Sequence, residues 1–511
     1  MYQKVIDFFN KKKVVLISII AMIIVFFAIS IIYSLTRPLN YDELEWTINF
    51  MDDGFSSMME QLSTGLYNLP LFYILAYPIY HILPHTEMWL CLPNILLTIG
   101  SLIFVYLFVK DFKNNIWALI ILFLLCINAS LIEFVVQFRP YALMFFLVSA
   151  LLYVWFKREK DGGIKISVFY TILSTLLMFT HWFGSLLVAS FGVFDLVKII
   201  TKKKKFKQLI PYVIMLVCFV PYFIVVVLKS RYTTDYYWQN PASIAFGIEC
   251  VSVFLNCNMF FFAVFIVGGI VIAFKTYKAI FKKQEIEDIE YWSFFAITVF
   301  LTFFAIQFYS MVINKNTSLC VFRYFITLLP FITLMFLYGA KSVIDFIFAK
   351  KRFFMLFLSC VALIVFTVPA GMVCVDSLKS TNKGYENVVC FLLEQEDIKN
   401  DKTLVAATCG STWVDFYFTE KGRELPQNII ASHLDLYFDN FFTQSVKDGK
   451  RIEDTKVYDI YNWILGFDKI YFYSESYKEL NDQKAFMDYV LENYEYKEET
   501  IESLIVFTKK A

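Results

Sequence analysis

Long apolar runs separated by short polar loops make up most of the chain. A helix that crosses a bilayer needs about 20 mostly apolar residues. Roughly eleven segments fit this pattern: Val14–Leu35, Met88–Val109, Ile116–Glu133, Pro140–Phe156, Ile166–His181, Gly184–Ile200, Leu209–Leu228, Met259–Phe274, Tyr291–Ile313, Phe322–Tyr338 and Phe353–Val375. The pattern therefore predicts a polytopic α-helical membrane protein with about 11 transmembrane helices.

The distribution of Lys and Arg predicts which loops face the cytoplasm, because cytoplasmic loops are rich in these residues. Leu69–Leu83 is short and contains Pro70 and Pro78, so we expect it to be re-entrant or interfacial rather than spanning. On that reading the inner segments hold 24 basic residues and the outer loops only six. The N-terminus is then cytoplasmic, whereas the loop 36–87 and the C-terminal tail face outward.

The C-terminal tail has a soluble composition and alternating helix and strand patterns. Helices are predicted at Tyr385–Glu396, Asp459–Leu465 and Lys484–Asn493, and strands at Thr403–Ala407, Lys469–Tyr473 and Leu504–Thr508. The chain thus divides into a transmembrane domain, 1–375, with the outer loop 36–87, and a small extracytoplasmic α/β domain, 376–511. The tail has 25 acidic and 16 basic residues, a net charge of −9 that is unsuited to nucleic acid or anionic lipid.

Composition supports a membrane protein and excludes several site classes. The chain is 59% hydrophobic and 18% charged, with a net charge of +1, whereas nucleic-acid binding requires a clustered basic surface. The 10 cysteines show no CxxC or metal-ligand spacing, so we interpret them as packing residues and predict no metal site. A requirement for a divalent cation stays open.

The outer loop contains the sharpest candidate for chemistry, the adjacent carboxylates of Asp42 and Glu43. No Lys or Arg occurs between Pro38 and Phe108. A carboxylate pair at the membrane surface suits a general base, with the second group supporting the first. Equally, Asn40 or Asp42 could simply cap a helix that begins here.

Two outer helix starts carry a cation beside a tyrosine, Arg139 with Tyr141 and Arg323 with Tyr324. A guanidinium can bind phosphate through two hydrogen bonds. A single such pair is more often an interfacial anchor, but two of them facing an acidic loop favour a site. His181, Tyr237 and Trp238 are further candidates for contact with a sugar or an acceptor, although each also fits an ordinary interfacial residue.

The order of these segments resembles a known family. It is similar to that of the GT-C glycosyltransferases of the protein O-mannosyltransferase and aminoarabinose-transferase type. The shared order is a basic N-terminus, one span, an outer loop with Asp42-Glu43, the Pro70–Tyr73 segment and Leu92-Pro-x-Ile-Leu96. Phe138 to Leu143 resembles their Arg-x-Tyr-x-Leu segment, and Arg323-Tyr324 with Leu329-Pro330 resembles their later helix start. The sequence departs from the family just before the Pro-Leu of the Pro70–Tyr73 segment, where many relatives have His or Lys and this chain has Asn68-Leu69.

The resemblance implies a GT-C-like fold and a donor sugar carried on polyprenyl phosphate. Asp42 would be the catalytic base, supported by Glu43, and Arg139, Arg323, Tyr141 and Tyr324 would bind the lipid phosphate. The acceptor would be a glycan, a lipid, a wall polymer or a protein, and the sugar a hexose or pentose, at the outer face of the cell membrane.

Two other functions remain open on the sequence. A multi-pass transporter or flippase for a cell-envelope glycolipid is one, but no span carries a charged residue with an evident partner at its centre. A membrane-anchored sensor that acts through the C-terminal domain is the other. The predicted function is a membrane glycosyltransferase in contact with membrane lipid and without a nucleic-acid partner.

Overall fold

The computed structural model describes the chain in segments, which are 11–37, 39–52, 54–64, 69–229, 243–257, 259–313, 319–347, 384–407, 416, 429–431, 442–447, 450–456, 466–473, 491–498 and 504–510. Contacts group the chain into two compact units. The membrane unit comprises Met1–Ser34, Phe55–Ile79 and Cys91–Leu378. The loop-and-tail unit comprises Leu35–Gly54, Tyr80–Leu90 and Lys379–Ala511.

The described helices that precede the tail are α1 Lys12–Thr36, α2 Tyr41–Glu43, α3 Asn49–Asp52, α4 Phe55–Thr64, α5 Pro70–Ile82, α6 Glu87–Phe112, α7 Asn115–Cys126, α8 Ala129–Val135, α9 Tyr141–Lys160, α10 Ile164–Met178, α11 Trp182–Ile200, α12 Ile210–Lys229, α13 Ile244–Phe254, α14 Met259–Phe281, α15 Ile289–Phe308 and α16 Leu329–Ile347. Four short helical turns join them. These are the π-helical turns Leu44–Ile48 and Tyr309–Ile313 and the 3₁₀ turns Phe206–Leu209 and Phe322–Leu328.

Within the described residues, eight helices are long and apolar enough to cross a membrane. They are Lys12–Thr36, Glu87–Phe112, Tyr141–Lys160, Trp182–Ile200, Phe206–Val226, Met259–Phe281, Ile289–Val312 and Phe322–Phe346. This confirms a polytopic α-helical membrane protein. Each of the eight coincides with one of the spans predicted from the sequence.

Two of the predicted spans differ from this regular pattern. Ile116–Glu133 is a bent pair, α7 and α8, whose axes differ by 61°. The segment predicted as Ile166–His181 is the 15-residue helix α10, which ends at Met178 because His181 already caps the next helix. Phe353–Val375 lies outside the described residues.

The bend between α7 and α8 is held by hydrogen bonds. Asn128 Oδ1 accepts the amide of Leu131 at 2.8 Å and caps α8, while its Nδ2 donates to the carbonyl of Phe254 at 2.9 Å. Asn256 Oδ1 accepts the amide of Ala129 at 3.1 Å. Because these polar groups satisfy the backbone of the break, the chain can leave helical geometry inside an apolar bundle.

Helices α14 and α16 pack backbone against backbone. A Cβ atom on Gly268 would lie 2.5 Å from the carbonyl oxygen of Met335, and one on Gly339 would collide with that of Val264. Small residues at helix interfaces permit such close approach in membranes. The two glycines therefore fix this helix pair, and α16 in turn continues from the turn that carries Arg323.

Buried ion pairs tie several helix ends together, and we call this region the lysine-rich end. The Arg158 guanidinium donates to Asp195 at 2.9 Å, Lys204 lies 2.6 Å from the same carboxylate, and the Tyr212 hydroxyl donates to it at 2.9 Å. Lys198 pairs with Glu159 at 2.9 Å. The side chains of Arg158 and Asp195 are 2% and 0% exposed, so pairing is required to offset the cost of burying their charges.

Within its described residues, the tail forms helix α17 Gly384–Leu393, a 3₁₀ turn Glu396–Lys399 and seven strands. The strands are β1 Thr403–Ala407, β2 Ile429–Ala431, β3 Phe442–Lys447, β4 Lys450–Lys456, β5 Lys469–Tyr473, β6 Tyr494–Glu498 and β7 Leu504–Lys509. Their order in the sheet is β4-β3-β2-β1-β5-β7-β6. Strand β1 is parallel to β2 and β5, and the other pairs are antiparallel.

This sheet confirms a small α/β domain. Its central strands are buried and apolar, as in Leu404, Ile470, Phe472 and Phe507, which is the pattern of strands covered on both faces. At the start of β5, burial alone would raise the pKa of Asp397, but hydrogen bonds from Lys469 and Tyr471 lower it. The predicted helix Asp459–Leu465 lies outside the described residues.

Candidate functional site

The loop after the first span is organised around Glu43, which is completely buried. Its carboxylate accepts two hydrogen bonds from the Arg37 guanidinium, Nη1 to Oε2 and Nη2 to Oε1, both 2.6 Å long. The amide of Asn40 donates to Glu43 Oε2 at 2.9 Å, and Asn40 Oδ1 accepts the amide of Glu43 at 3.0 Å. This reciprocal arrangement is a capping box at the start of a helix.

The capping interpretation of Asn40 is therefore confirmed. As a result, the two adjacent carboxylates have different surroundings. Both oxygens of Glu43 are engaged within its own turn, by Arg37 and by the backbone. Asp42 is half-buried in the neighbouring position of the same turn. Of the pair, Asp42 is the more exposed carboxylate.

The segment that carries Arg139 is held from two sides within the membrane unit. Asn94, which is 3% exposed, donates from Nδ2 to the carbonyl of Gln137 and, at 3.3 Å, to that of Arg139. The ring of Phe138 packs edge-on against Phe72 with centroids 5.8 Å apart. These contacts join three of the sequence segments noted above, at Pro70–Tyr73, Leu92–Leu96 and Phe138–Leu143.

His181 lies in the turn between α10 and α11, outside both helices, and caps α11. Its Nδ1 accepts the amide of Phe183 at 3.3 Å. Two residues earlier, the carbonyl of Phe179 accepts the amide of Leu71 at 3.1 Å, which ties this turn to the start of α5. Burial, together with the charges of Arg139 and Arg323, lowers the pKa of His181 to about 3. The imidazole is therefore neutral at physiological pH.

Arg323 and Tyr324 are in the 3₁₀ turn Phe322–Leu328, which leads into α16. The Arg323 guanidinium lies 6.0 Å from the ring centroid of Tyr141 and 5.9 Å from that of Tyr324. The Tyr324 ring lies 4.8 Å from the His181 ring and 6.3 Å from that of Tyr141. On either side of this pair, Phe322 stacks on Phe246 and Phe325 stacks on Phe303. These stacked rings hold the turn against α13 and α15.

The structure thus brings together five of the predicted site residues from three helix starts. We call them the two-arginine cluster: Arg139, Tyr141, His181, Arg323 and Tyr324. Arg139 is 7%, Tyr141 1% and His181 9% exposed. Arg323 and Tyr324 are half-buried. The charges of both guanidinium groups act on the neutral His181 imidazole, so the surroundings of that ring are positive. Such an environment favours an anion with several oxygen acceptors.

The other four predicted site residues belong to other parts of the chain. Asp42 and Glu43 belong to the loop-and-tail unit, whereas the cluster lies in the membrane unit. Tyr237 and Trp238 lie outside the described residues. Within the described parts of the chain, no three His, Cys, Asp or Glu side chains come together in a way that could hold a metal ion.

The two-arginine cluster lies at the opposite end of its helices from the lysine-rich end. Tyr141 begins α9 and Arg158 is near its last turn, so they are about 26 Å apart along the helix axis. In the same way His181 begins α11, and Asp195 and Lys198 are near its end. The separation is close to the thickness of the hydrocarbon core of a bilayer, about 30 Å.

Two supporting residues were not identified from the sequence. Arg37 was not singled out, although Asn40 followed by Glu43 has the spacing of a capping box. Asn94 occupies the variable position of the Leu92–Leu96 segment. Its contacts lie more than 40 residues along the chain, and no local pattern reveals them.

The similarity of this chain to known proteins is found among solved structures. No family model matches the chain, and no curated protein matches it. Among solved structures, the chain is similar to the oligosaccharyltransferase of Archaeoglobus fulgidus, crystallised with Zn and sulfate. The likeness covers 96% of this chain and 73% of the other, with 11% sequence identity and a TM-score of 0.44.

Proposed function

We propose that the protein is a GT-C-type membrane glycosyltransferase, which moves a sugar from a polyprenyl-phosphate carrier to an acceptor at the extracytoplasmic face. The observation that carries the proposal is the two-arginine cluster, a partly buried cationic site at helix starts on one side of the bundle. A lipid-linked donor stays in the bilayer, so its transferase needs a polar site at headgroup depth within a membrane domain.

The donor phosphate binds to the two-arginine cluster. Arg139 and Arg323 supply charge and paired N–H donors for the phosphate oxygens, and Tyr141 and Tyr324 line the same site. The opposed lysine-rich end supports the proposed sidedness, because Lys and Arg concentrate in cytoplasmic loops.

Asp42 is the proposed general base. It takes the proton of the acceptor hydroxyl as the acceptor oxygen bonds to the anomeric carbon of the sugar. The bond between that carbon and the phosphate oxygen breaks, the anomeric configuration inverts, and polyprenyl phosphate leaves as an anion stabilised by the two arginines. Glu43 supports Asp42 indirectly, by fixing the turn through Arg37 and Asn40.

The experiment offers a panel of polyprenyl-phosphate sugars to membranes that contain the protein and measures release of free polyprenyl phosphate. The wild type should release it from at least one donor. Arg139→Gln and Arg323→Gln should each lower the rate by about 10- to 100-fold, since a hydrogen bond to a charged group contributes about 1.5–3 kcal/mol.

Lys207→Gln is the matched control, because it removes one positive charge from an exposed position at the lysine-rich end. It should leave the rate unchanged. Equal rates for the wild type and both arginine variants, with all proteins equally abundant, would contradict the assignment of the phosphate site.

A further inference from the structure

His181 has a defined tautomer. A backbone amide can only donate, so the hydrogen bond from Phe183 N at 3.3 Å requires a lone pair on Nδ1. A neutral imidazole carries one proton, which must then be on Nε2. The cap of α11 therefore leaves His181 with a single outward function, that of a neutral N–H donor.

The surroundings of the ring favour an anionic acceptor for that donor. The His181 ring lies 4.8 Å from the Tyr324 ring and 6.4 Å from the Tyr141 ring. The hydroxyl of Tyr141 is buried and has no hydrogen-bond partner within the described chain. The guanidinium of Arg323 lies 6.0 Å from the same tyrosine ring.

The cluster thus offers a ligand the Nε2–H donor, two tyrosine hydroxyls that can donate or accept, and the positive charge of two guanidinium groups. A phosphate oxygen only accepts hydrogen bonds and carries negative charge, so it matches the Nε2–H donor and the two cations better than a neutral sugar hydroxyl does. We infer that His181 Nε2–H donates a hydrogen bond to a phosphate oxygen of the lipid carrier and is not a contact for the sugar or the acceptor. This inference rests on the proposed function, because it concerns the same donor.

A neutral donor is compatible with this position, whereas a third cation is not. Burial and the charges of Arg139 and Arg323 lower the pKa of His181 to about 3. The side chain can therefore bind the phosphate without adding to the repulsion between the arginines. The positive charge of a lysine at this position would increase the repulsion among the cations.

Two amide variants distinguish the role of Nδ1 from the role of Nε2. The side chain of Asn places its amide near the position of Nδ1 and is a strong helix cap, but it does not reach the position of Nε2. The side chain of Gln is one methylene longer and brings an N–H donor to the position of Nε2, but it is a weak cap. A purely structural role and a donor role therefore predict opposite orders of activity.

The test measures the affinity of purified full-length protein in nanodiscs for polyprenyl phosphate, together with kcat and KM for transfer. His181→Asn should retain the thermal stability of the wild type but bind polyprenyl phosphate about tenfold or more weakly. His181→Gln should be less stable yet rescue most of the affinity. The ratio of wild-type to His181→Gln affinity should stay constant between about pH 5 and 8, because the imidazole does not titrate in that range.

Other outcomes would overturn the inference. These are equal affinities of both variants and the wild type, a higher affinity for Asn than for Gln, or a wild type that does not bind polyprenyl phosphate. Failure of the proposed function is distinguishable from these. A wild type that transfers no sugar but binds polyprenyl phosphate, with Gln stronger than Asn, would refute the transferase and support the donor role of His181.

Discussion

At the scale of single residues, the two adjacent carboxylates have different environments. Glu43 is fully buried and bound by Arg37 through two hydrogen bonds of 2.6 Å, whereas Asp42 is half-buried. Burial of a carboxylate is tolerated only with a cation and with hydrogen bonds to its oxygens. Glu43 therefore stabilises the loop, and this leaves the proposed chemistry to Asp42.

Removal of either partner of this ion pair should destabilise the protein. Glu43→Gln and Arg37→Gln should each lower the free energy of unfolding by about 1–3 kcal/mol. The double variant should lower the free energy of unfolding by less than the sum of the two single variants, with a coupling energy of about 1–3 kcal/mol. Thermal unfolding of the purified variants followed by a double-mutant cycle measures this.

An exposed ion pair provides the control for that cycle. Lys341 and Asp345 are one helical turn apart in α16, and their side chains are 51% and 56% exposed. Lys341→Gln with Asp345→Asn should give a coupling energy of about 0–0.5 kcal/mol. A coupling no larger than this for Arg37 and Glu43 would refute the structural role of the pair.

At the scale of helices, the contact between α14 and α16 depends on two glycines. Gly339→Ala would force its Cβ against the backbone oxygen of Val264, and Gly268→Ala would bring its Cβ within 2.5 Å of the Met335 carbonyl. Backbone cannot move aside as a side chain can, so each variant should separate the helices. We expect a loss of about 2 kcal/mol or more in stability and lower abundance.

Gly247→Ala is the matched control for these variants, because it is also a helical glycine. Among the described residues, its Cβ would meet only the Phe303 ring at 3.9 Å, an ordinary contact. Alanine favours a helix over glycine by about 1 kcal/mol, so this variant should be as stable as the wild type or slightly more stable. The measurement is the fraction of folded, monodisperse protein that remains in detergent after heating, for each of the three variants. Equal behaviour would contradict the close packing.

Secondary structure could be predicted where one local signal dominates. Apolar length identified the eight long helices, and apolar strands such as Thr403–Ala407 and Lys469–Tyr473 were also found. The end of α10 at Met178 was not found, because apolar residues continue through the turn into α11. Strands β3 and β4 were missed because they are largely polar, as in Lys450–Lys456, although the Asp448-Gly449 sequence between them favours a hairpin.

The site could be predicted only in part. Arg139, Arg323 and their tyrosines stood out because cations are rare in the outer loops. The hydrogen bonds of Asn94 to the Arg139 segment and the tautomer of His181 follow from contacts between distant parts of the chain. A sequence without an alignment carries no local signal of such contacts.

At the scale of the whole molecule, charge is separated along the bundle. The lysine-rich end contains interlocked acids and bases, whereas the two-arginine cluster is cationic and begins the same helices. This polarity fits a protein that holds an anionic headgroup at one bilayer surface and is oriented by its basic loops at the other. The alternative functions, transport or sensing, do not require an acid that is essential for sugar transfer.

The most direct test of the central claim is single-turnover transfer by purified wild type and Asp42→Asn, supplied with the polyprenyl-phosphate sugar that the wild type accepts. The account predicts that the asparagine variant binds polyprenyl phosphate and unfolds at the same temperature as the wild type, but releases polyprenyl phosphate about 100-fold more slowly or worse. Release at the wild-type rate by Asp42→Asn would contradict the account.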